Sequence, residues 1–535
     1  MKISTLEAEL KGRVKAAFNL DDAALAGFVL AEPPPHVKAD ACLAWPISAA
    51  KALKKAPQKI AEDVKSALGS GVEAQAVPPG FINIMFGAPF LFEALRGLER
   101  PDCFHRPEFA GEKINLEFVS ANPTGPMHLA SGRGATLGDS LARVWKALGA
   151  SVATEFYVNN VGRQVEKLGL SLKARYEGKE PPADGYQGDY LKDVAAALPK
   201  EAAGWTDAQF SEYAATEMLK LHKADMAAFG VNFDRWFLES ELHESGSPKA
   251  ALETLKSRGM TYEKEGAVWF GAATELESDD KDRVLVKADG RNTYFLNDIA
   301  YHLNKFSRGF RRLIDIWGAD HHGYVPRMEA AVKALGSDKG TFKVIIHQQV
   351  SLLRGKEVVK MSKRAGDFIS LKELIEDVGT DACRFFFASR GPNTHLNFDV
   401  ELAKKQSNEN PVYYVQYVHA RICSIFDNAA VKGVDPAAPF DEAKVVINPE
   451  ERALMLKLLW LEKTLADCAR DNSPHHLTTY LTELAALFHS FYDQHKVLDP
   501  ENKEVTAYRL FLLKAVKGVI AKGLGMLGVS APERM

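Results

Sequence analysis

Between Lys113 and Asn159 the sequence follows a pattern that few folds accept. KINLEFVS reads as a strand, ANPTGPMHLASGRG as a glycine-rich turn, ATLGDSLARVWKALG as a helix and SVATEFYVN as a second strand. Leu137, Leu141, Val144 and Leu148 recur at helical spacing, so the connecting segment buries one face. A crossover helix returns the chain in its original direction, which predicts a parallel sheet in an α/β domain. Ligands in such sheets bind beyond the carboxyl ends of the strands. In this chain that place is Ser120 to Gly134.

The rest of the 535 residues arranges itself around this unit. At roughly 100–200 residues per domain, a chain of this length predicts three or four domains. Residues 1–110 read as an α+β unit, with an amphipathic helical segment from Ile47 to Leu68 and a strand over Phe81–Phe86 entered from Pro78-Pro79-Gly80. Residues 111–398 form the α/β domain, with an acidic-polar insertion near 170–280. Within it RVLVKADGRNTYF reads as a hairpin turning at Asp289-Gly290, RRLIDIW as a strand opening onto GADHHG, and FKVIIHQQVSLL as a strand leading into RGKEVVKMSKRAG. Residues 399–535 read as all-α: Pro411 starts one helix, Leu454, Leu458, Leu461 and Leu465 stripe a second, Leu477, Leu481, Leu484 and Phe488 a third, and Tyr508–Leu527 a fourth.

Charge narrows the partners less than it first promises. Lys and Arg number 67 against 70 Asp and Glu, a formal charge of −3, where phosphate-binding proteins usually carry a basic excess. That total averages opposed patches: Lys51, Lys54, Lys55 and Lys59 lie together with no acid between them, Lys360 to Arg364 is basic, and so is the last helix, with Lys514, Lys517 and Lys522 along one side. Five cysteines without a Cys-x-x-Cys spacing argue against a thiolate metal site and fit a reducing compartment. No apolar leader and no run of about 18 apolar residues is visible, so a cytosolic protein with no membrane partner is expected.

Two segments carry chemistry. Gly132-Arg133-Gly134-Ala135-Thr136-Leu137-Gly138 is one residue longer than a dinucleotide fingerprint, with Glu155 about where a ribose-binding acid sits. Lys360-Met361-Ser362-Lys363-Arg364, in a glycine-flanked loop, places two lysines three apart, able to clamp a phosphate chain and neutralise charge as pyrophosphate departs. A KxxK pair alone is more often an exposed basic loop. Both elements at strand-to-loop junctions of one domain point instead to a nucleotide.

Together these segments resemble the paired signatures of class I aminoacyl-tRNA synthetases. EFVSANPTGPMH, YVNNVGRQ, WGADHHGYVPR, VKMSKRAGDFISLKELIEDVG, NPVYYVQYVHARI and the terminal GVSAPERM are similar, in order along nearly the whole chain, to bacterial-type arginyl-tRNA synthetases. The resemblance implies a Rossmann-type parallel-sheet catalytic domain, an appended tRNA-contacting domain before it and a helical anticodon-binding domain after it. It implies ATP-dependent activation of L-arginine and transfer to the 3′ end of tRNA(Arg) by a cytoplasmic monomer. Magnesium accompanies the ATP, and no protein-bound metal is expected.

Residue by residue, the resemblance implies that His128, Ser131, Lys360 and Lys363 are catalytic. Pro123, Gly125, His128, Ala130, Ser131, Gly132, Met361 and Ser362 would meet ATP, and Asn122, Tyr294, Asp298 and His321 would hold arginine. Asp298 suits this role because a planar guanidinium wants a carboxylate in fork geometry. Lys51, Lys54, Lys55, Tyr414 and Arg421 would contact tRNA. His321 and His322, taken as strand neighbours, point to opposite faces, which disfavours a metal site.

The chain departs from the family where the turn usually reads His-x-Gly-His: here it is His128-Leu129-Ala130-Ser131. Ala130 adds a Cβ where adenine lies against the backbone, and Ser131 keeps one hydroxyl donor in place of an imidazole. Loss of one such donor can cost about 10²- to 10³-fold in rate. The expectation is an active enzyme with Ser131 as a weaker donor. The alternatives are a tRNA-binding relative that no longer activates arginine, and a dinucleotide oxidoreductase built on the glycine spacing.

Overall fold

The computed structural model describes residues 2–34, 36–69, 72–271, 282–336, 340–355, 357–358 and 369–535. The N-terminal unit runs α1 (Ile3–Phe18), β1 (Leu30–Ala31), β2 (Ala41–Leu43), α2 (Trp45–Leu53), α3 (Pro57–Leu68), β3 (Glu73–Val77), β4 (Phe81–Met85) and α4 (Ala88–Gly97). Its four strands form an antiparallel sheet in the order β1-β2-β4-β3. The amphipathic stretch from Ile47 to Leu68 is two helices rather than one. Lys54 ends α2 in the left-handed region (φ 50°), and Pro57, which has no N–H and would clash with a preceding turn, opens α3.

The central domain begins with β5 (Lys113–Phe118), α5 (Leu129–Ala147) and β6 (Ser151–Val158). Helices α6 (Arg163–Tyr176), α7 (Tyr190–Ala196) and α8 (Asp207–Ala228) precede β7 (Arg235–Leu238). A second excursion holds α9 (Glu239–Glu244), α10 (Ser247–Ser257) and the small antiparallel sheet of β8 (Thr261–Lys264), β9 (Ala267–Phe270) and β10 (Arg283–Val286). The expected single insertion is therefore interrupted, because β7 within it is a full member of the main sheet. Next come α11 (Tyr294–Ser307), β11 (Arg312–Gly318), the 3-10 turn Ala319–Tyr324, α12 (Val325–Ala334) and β12 (Thr341–His347).

The main sheet has the order β12-β11-β5-β6-β7, with all four pairings parallel. Strand order reverses between β5 and β11, so the crevice beyond their carboxyl ends is the natural ligand position. The predicted hairpin at Asp289-Gly290 is reduced to a single bridge, Val286 to Asn292, because β10 takes β9 as its ladder partner and α11 starts at Tyr294. FKVIIHQQVSLL divides likewise: β12 ends at His347, and β13 (Val350–Arg354) joins a separate sheet with β14 (Glu357–Val358) and β15 (Leu396–Asp399).

Helices α13 (Leu371–Val378), α14 (Thr380–Ala388) and α15 (Val400–Lys404) lead to the helical domain of α16 (Pro411–Val431), α17 (Pro449–Asp471), α18 (His475–Gln494) and α19 (Lys503–Leu527). The leucine stripes are its core: Leu454, Leu458, Leu461, Leu465, Leu477, Leu481 and Leu484 have no exposure. Arg384 on α14 ties the last helix to α5 and to the end of α8, donating to Asp139, to Leu527 O and to Phe229 O. At Gly528 (φ 66°) any side chain would strike that guanidinium.

The glycine spacing is explained by packing. Helix α5 starts at Leu129, five residues before the end of the expected turn, so Gly132, Gly134 and Gly138 all lie inside it. A Cβ at Gly138 would stand 2.1 Å from the Phe118 ring of β5, and one at Gly132 would stand 2.6 Å from Leu371. The helix lies close on the sheet because these positions lack side chains. Helix propensity alone favours Gly138→Ala by about 1 kcal/mol; overpacking against Phe118 costs about 1–3 kcal/mol. The substitution is expected to lower the thermal midpoint, and an unchanged or raised midpoint in a melting experiment contradicts this packing.

Candidate active site

The turn between β5 and α5 begins under strain. Val119 (φ 72°) and Ser120 (φ 40°) both occupy the left-handed region, unusual for any side chain and costly for a β-branched one. Ser120 secures the bend, its hydroxyl donating to Glu117 Oε1 at 2.7 Å and accepting from the Tyr157 N–H at 3.1 Å. Beyond it Asn122 is exposed, its amide donating to Gln164 at 2.7 Å. Pro123 is buried, and Gly125 faces the Tyr190 ring.

His128 caps α5. Its Nδ1 accepts from the Ser131 N–H at 3.3 Å, which places the ring proton on Nε2. Ala130 follows, half-buried, and Ser131 is buried with its hydroxyl 3.5 Å from the same Nδ1. The free N–H groups and positive dipole end of a 19-residue helix suit an anion here. Gly132, expected at the nucleotide, faces Leu371 and Phe387 instead.

Lys360, Met361, Ser362, Lys363 and Arg364 lie outside the described residues. The chain that follows them returns to the turn: the Leu371 N–H donates to Met127 O at 2.9 Å, and Ser370 bridges His128. Arg133 ties the other side. Fully buried, it donates to the carbonyls of Gln348, Gln349, Gly391 and Thr394, joining α5 to the segment that enters β13. Burial lowers its pKa to about 10. Beside it His347, pushed down to about 4 by burial and then by Arg133, stays neutral. Neither residue carries a sequence signature; only the glycine at 134, over which His347 packs, marks the place.

Tyr294 and Asp298 stand one turn apart at the start of α11. Tyr294 is 68% exposed, while Asp298 accepts a hydrogen bond from Tyr324. Burial raises the Asp298 carboxyl to about 6 despite that bond, and the charges of Glu239 and Glu117 add to the rise. Three carboxylates thus face one region, and two of them, Glu117 on β5 and Glu239 on α9, escaped the sequence reading because each looks like an ordinary strand or helix acid. His321 lies on the 3-10 turn and not on a strand, exposed and packed edge-on to Trp317 at 6.2 Å, so the strand-face argument about His321 and His322 does not apply.

Below this region runs a buried charge network. Lys305, with no exposed side chain, donates to Glu117 at 2.6 Å and to Asp315 at 2.9 Å, and His302 Nε2 lies 2.9 Å from Asp315. Burial opposes the Lys305 charge, but Asp315 and Glu117 more than offset it and hold its pKa above the ordinary value. Burial also works against Asp315, which Lys305 and His302 nevertheless hold below the usual range. Glu155 accepts from Arg308, Tyr301 and Asn115. It is therefore committed within the fold, and with the glycines inside α5 the dinucleotide oxidoreductase reading loses both its acid and its loop.

The expected tRNA contacts scatter over the outer domains. Lys51, Lys54 and Lys55 are exposed, with Lys55 3.4 Å from Asp63 one helix later. Tyr414 stacks on His489 at 4.6 Å, and Arg421 donates to the Tyr492 hydroxyl at 2.7 Å. The basic side of the last helix is used internally: Lys514 pairs with Glu99 at 2.8 Å, Lys522 donates to Leu98 O at 2.5 Å, and Lys517 lies over the Phe426 ring. The expected phosphate-following stripe is in large part a domain contact.

Comparison with known proteins matches three family descriptions in order. They are the arginyl tRNA synthetase N terminal domain at residues 4–86, the catalytic domain of class I (R) tRNA synthetases at 109–387, and the DALR anticodon binding domain at 415–535. The chain is 52% identical to an arginine–tRNA ligase of Elusimicrobium minutum across 100% of both chains. It is 40% identical to that of Bacillus subtilis over 99% of this chain and 98% of the relative. The Thermus thermophilus arginyl-tRNA synthetase structure superposes with a TM-score of 0.78 at 22% identity, covering 99% of this chain and 100% of that one, which supports the fold.

Removing the central cation is expected to break the network. Lys305→Met leaves Glu117 and Asp315 buried without their ammonium, a loss of about 3–5 kcal/mol. A melting experiment should show a large fall in midpoint, and an unchanged midpoint contradicts the role given to Lys305.

Proposed function

The chain belongs to the class I arginyl-tRNA synthetases, and from that premise we propose how its residues divide the work. The reaction is ATP-dependent ligation of L-arginine to tRNA(Arg). The arginine carboxylate attacks the ATP α-phosphorus, giving arginyl-adenylate and pyrophosphate. The acyl group then passes to the terminal adenosine of the tRNA, at the 2′-hydroxyl in our reading. Phosphoryl transfer offers side chains little covalent work, so the protein contributes position and charge.

ATP lies along Pro123–Ser131, with Gly125 and Ala130 against the nucleotide and the His128 Nε2–H aimed at its phosphates. Magnesium enters with ATP as part of the substrate. Ser131 supplies the donor that a second histidine supplies elsewhere in the family. Lys360 and Lys363, with Met361 and Ser362 between them, close over the phosphates and stabilise the departing pyrophosphate. The return of residues 370–371 to His128 and Met127 supports this pairing of the two segments.

Arginine lies among Asn122, Tyr294, Asp298 and His321, its guanidinium toward Asp298 with Glu117 and Glu239 adding negative potential. The observation that carries this reading is the Asp298 carboxyl, half-buried beside Tyr324 with the charges of Glu239 and Glu117 acting on it. An unpaired charge there is costly, and a guanidinium is the group that relieves it. Lys51, Lys54 and Lys55 contact the tRNA backbone, and Tyr414 and Arg421 meet anticodon bases by stacking and hydrogen bonds. The protein acts as a cytoplasmic monomer. Among the described residues no helix is long and apolar enough to cross a membrane.

ATP–pyrophosphate exchange tests the assignment: exchange should stay low until both arginine and cognate tRNA are present, and full exchange without tRNA contradicts it. The Asp298 pKa adds a pH signature. The raised value means that the folded site binds this proton more tightly than the unfolded chain, so native stability falls as pH climbs from the ordinary carboxylate range toward about 6. Guanidinium binding needs the ionised form. The arginine KM should therefore rise about tenfold per unit as pH falls below about 6; a flat KM across that range contradicts the assignment.

A further inference from the structure

Helices α7 and α8 belong to the excursion between β6 and β7, and they have their own small core, built around Leu168, Leu172, Leu191 and Phe210. From that body three side chains reach across to main-chain atoms of one short turn. The Tyr190 hydroxyl donates to Thr124 O at 2.6 Å, and His222 Nε2 lies 2.7 Å from Gly125 O. The Asp225 carboxylate, pushed up by burial, is drawn back down by the nearby Met127 N–H. Tyr190 and Gly125 are also in close steric register, since a Cβ at Gly125 would come 3.2 Å from the Tyr190 oxygen.

The chemistry of His222 is constrained. Its ring is buried, and Nδ1 has no hydrogen-bond partner among the described residues. A carbonyl can only accept, so the ring proton is on Nε2 and points at Gly125 O. The three contacts fall at residues 124, 125 and 127, directly before the His128 cap of α5. The other end of the turn is the strained Val119-Ser120 bend. A loop that starts in strain and ends at a helix cap has few internal restraints, and fixing its carbonyls from outside sets where its remaining groups point.

We propose that Tyr190, His222 and Asp225 are positioning residues that hold Thr124–Met127 in the conformation that receives ATP. The inserted helices thereby act as a clamp on the nucleotide turn. This rests on the reading above that Pro123–Ser131 lies along ATP. Of the residues read as holding arginine only Asn122 shares this turn, ahead of the clamped residues and tied separately to Gln164, while Tyr294, Asp298 and His321 are on other elements, so the clamp bears chiefly on ATP.

Pyrophosphate exchange with full-length Tyr190→Phe, His222→Leu and His222→Gln, in the presence of tRNA, tests the clamp, with His128→Ala as a probe of the ATP site itself. Tyr190→Phe removes one oxygen without changing the packing. It and His222→Leu should each raise the ATP KM about three- to tenfold, with the arginine KM unchanged. His222→Gln, whose amide N–H can reach the same carbonyl, should restore most of the loss. An unchanged ATP KM in Tyr190→Phe and His222→Leu, while His128→Ala raises it, overturns the clamp and leaves the ATP site standing. ATP and arginine KM rising together without rescue by glutamine also overturns it, since that is a structural effect. If His128→Ala also leaves the ATP KM unchanged, the ATP reading itself has failed and the clamp falls with it.

Discussion

An ammonium group without solvent must be neutralised by its neighbours or give up its proton. Lys305 meets that demand with two carboxylates from two adjacent strands, Glu117 on β5 and Asp315 on β11. These strands flank the point where the sheet order reverses. One side chain on α11 thus fixes that helix over the crevice in which the domain is built to bind ligands. Glu117 is shared in turn with Ser120, the residue that secures the strained entrance to the turn. The same buried charges therefore place the start of α11, which carries Tyr294 and Asp298, and the bend that leads to Asn122 and His128.

The arrangement also explains why Asp298 is suited to a cationic substrate. Burial raises the cost of ionising it, and the charges of Glu239 and Glu117 add to that cost. A pocket of this kind is poorly matched to water and well matched to a delocalised cation. The nucleotide side is arranged differently. There the fold offers a helix N-terminus and a histidine whose cap bond fixes its proton, with main-chain contacts bringing Ser370 and Leu371 alongside. In the proposed reading arginine is met by fixed negative charge, and phosphate by donors and a dipole.

Much of this was legible in the sequence, for identifiable reasons. The β5–α5–β6 unit and the leucine stripes of α17 and α18 have strong periodicity, and periodicity survives folding. The glycines at 132, 134 and 138 misled because composition cannot tell a glycine that frees a loop from one that lets a helix touch a sheet; only the 2.1 Å approach to Phe118 decides. The lysines of α19 misled because their partners, Glu99 and Leu98, lie more than 400 residues away in sequence. For the same reason Glu117, Glu239, Arg133 and His347 went unseen: each becomes informative through burial and through neighbours that the linear chain does not display. Asp298 could be singled out by resemblance, but its raised pKa could not.

We propose that the region around Asp298, held in place by the Lys305 network, recognises the positive charge of a guanidinium. Citrulline has nearly the shape of arginine and lacks the charge, so a calorimetric titration of both amino acids into the full-length protein with tRNA bound isolates that term. A hydrogen bond to a charged group is worth about 1.5–3 kcal/mol, so citrulline should bind at least about tenfold more weakly than arginine. Comparable affinities for the two would contradict the account.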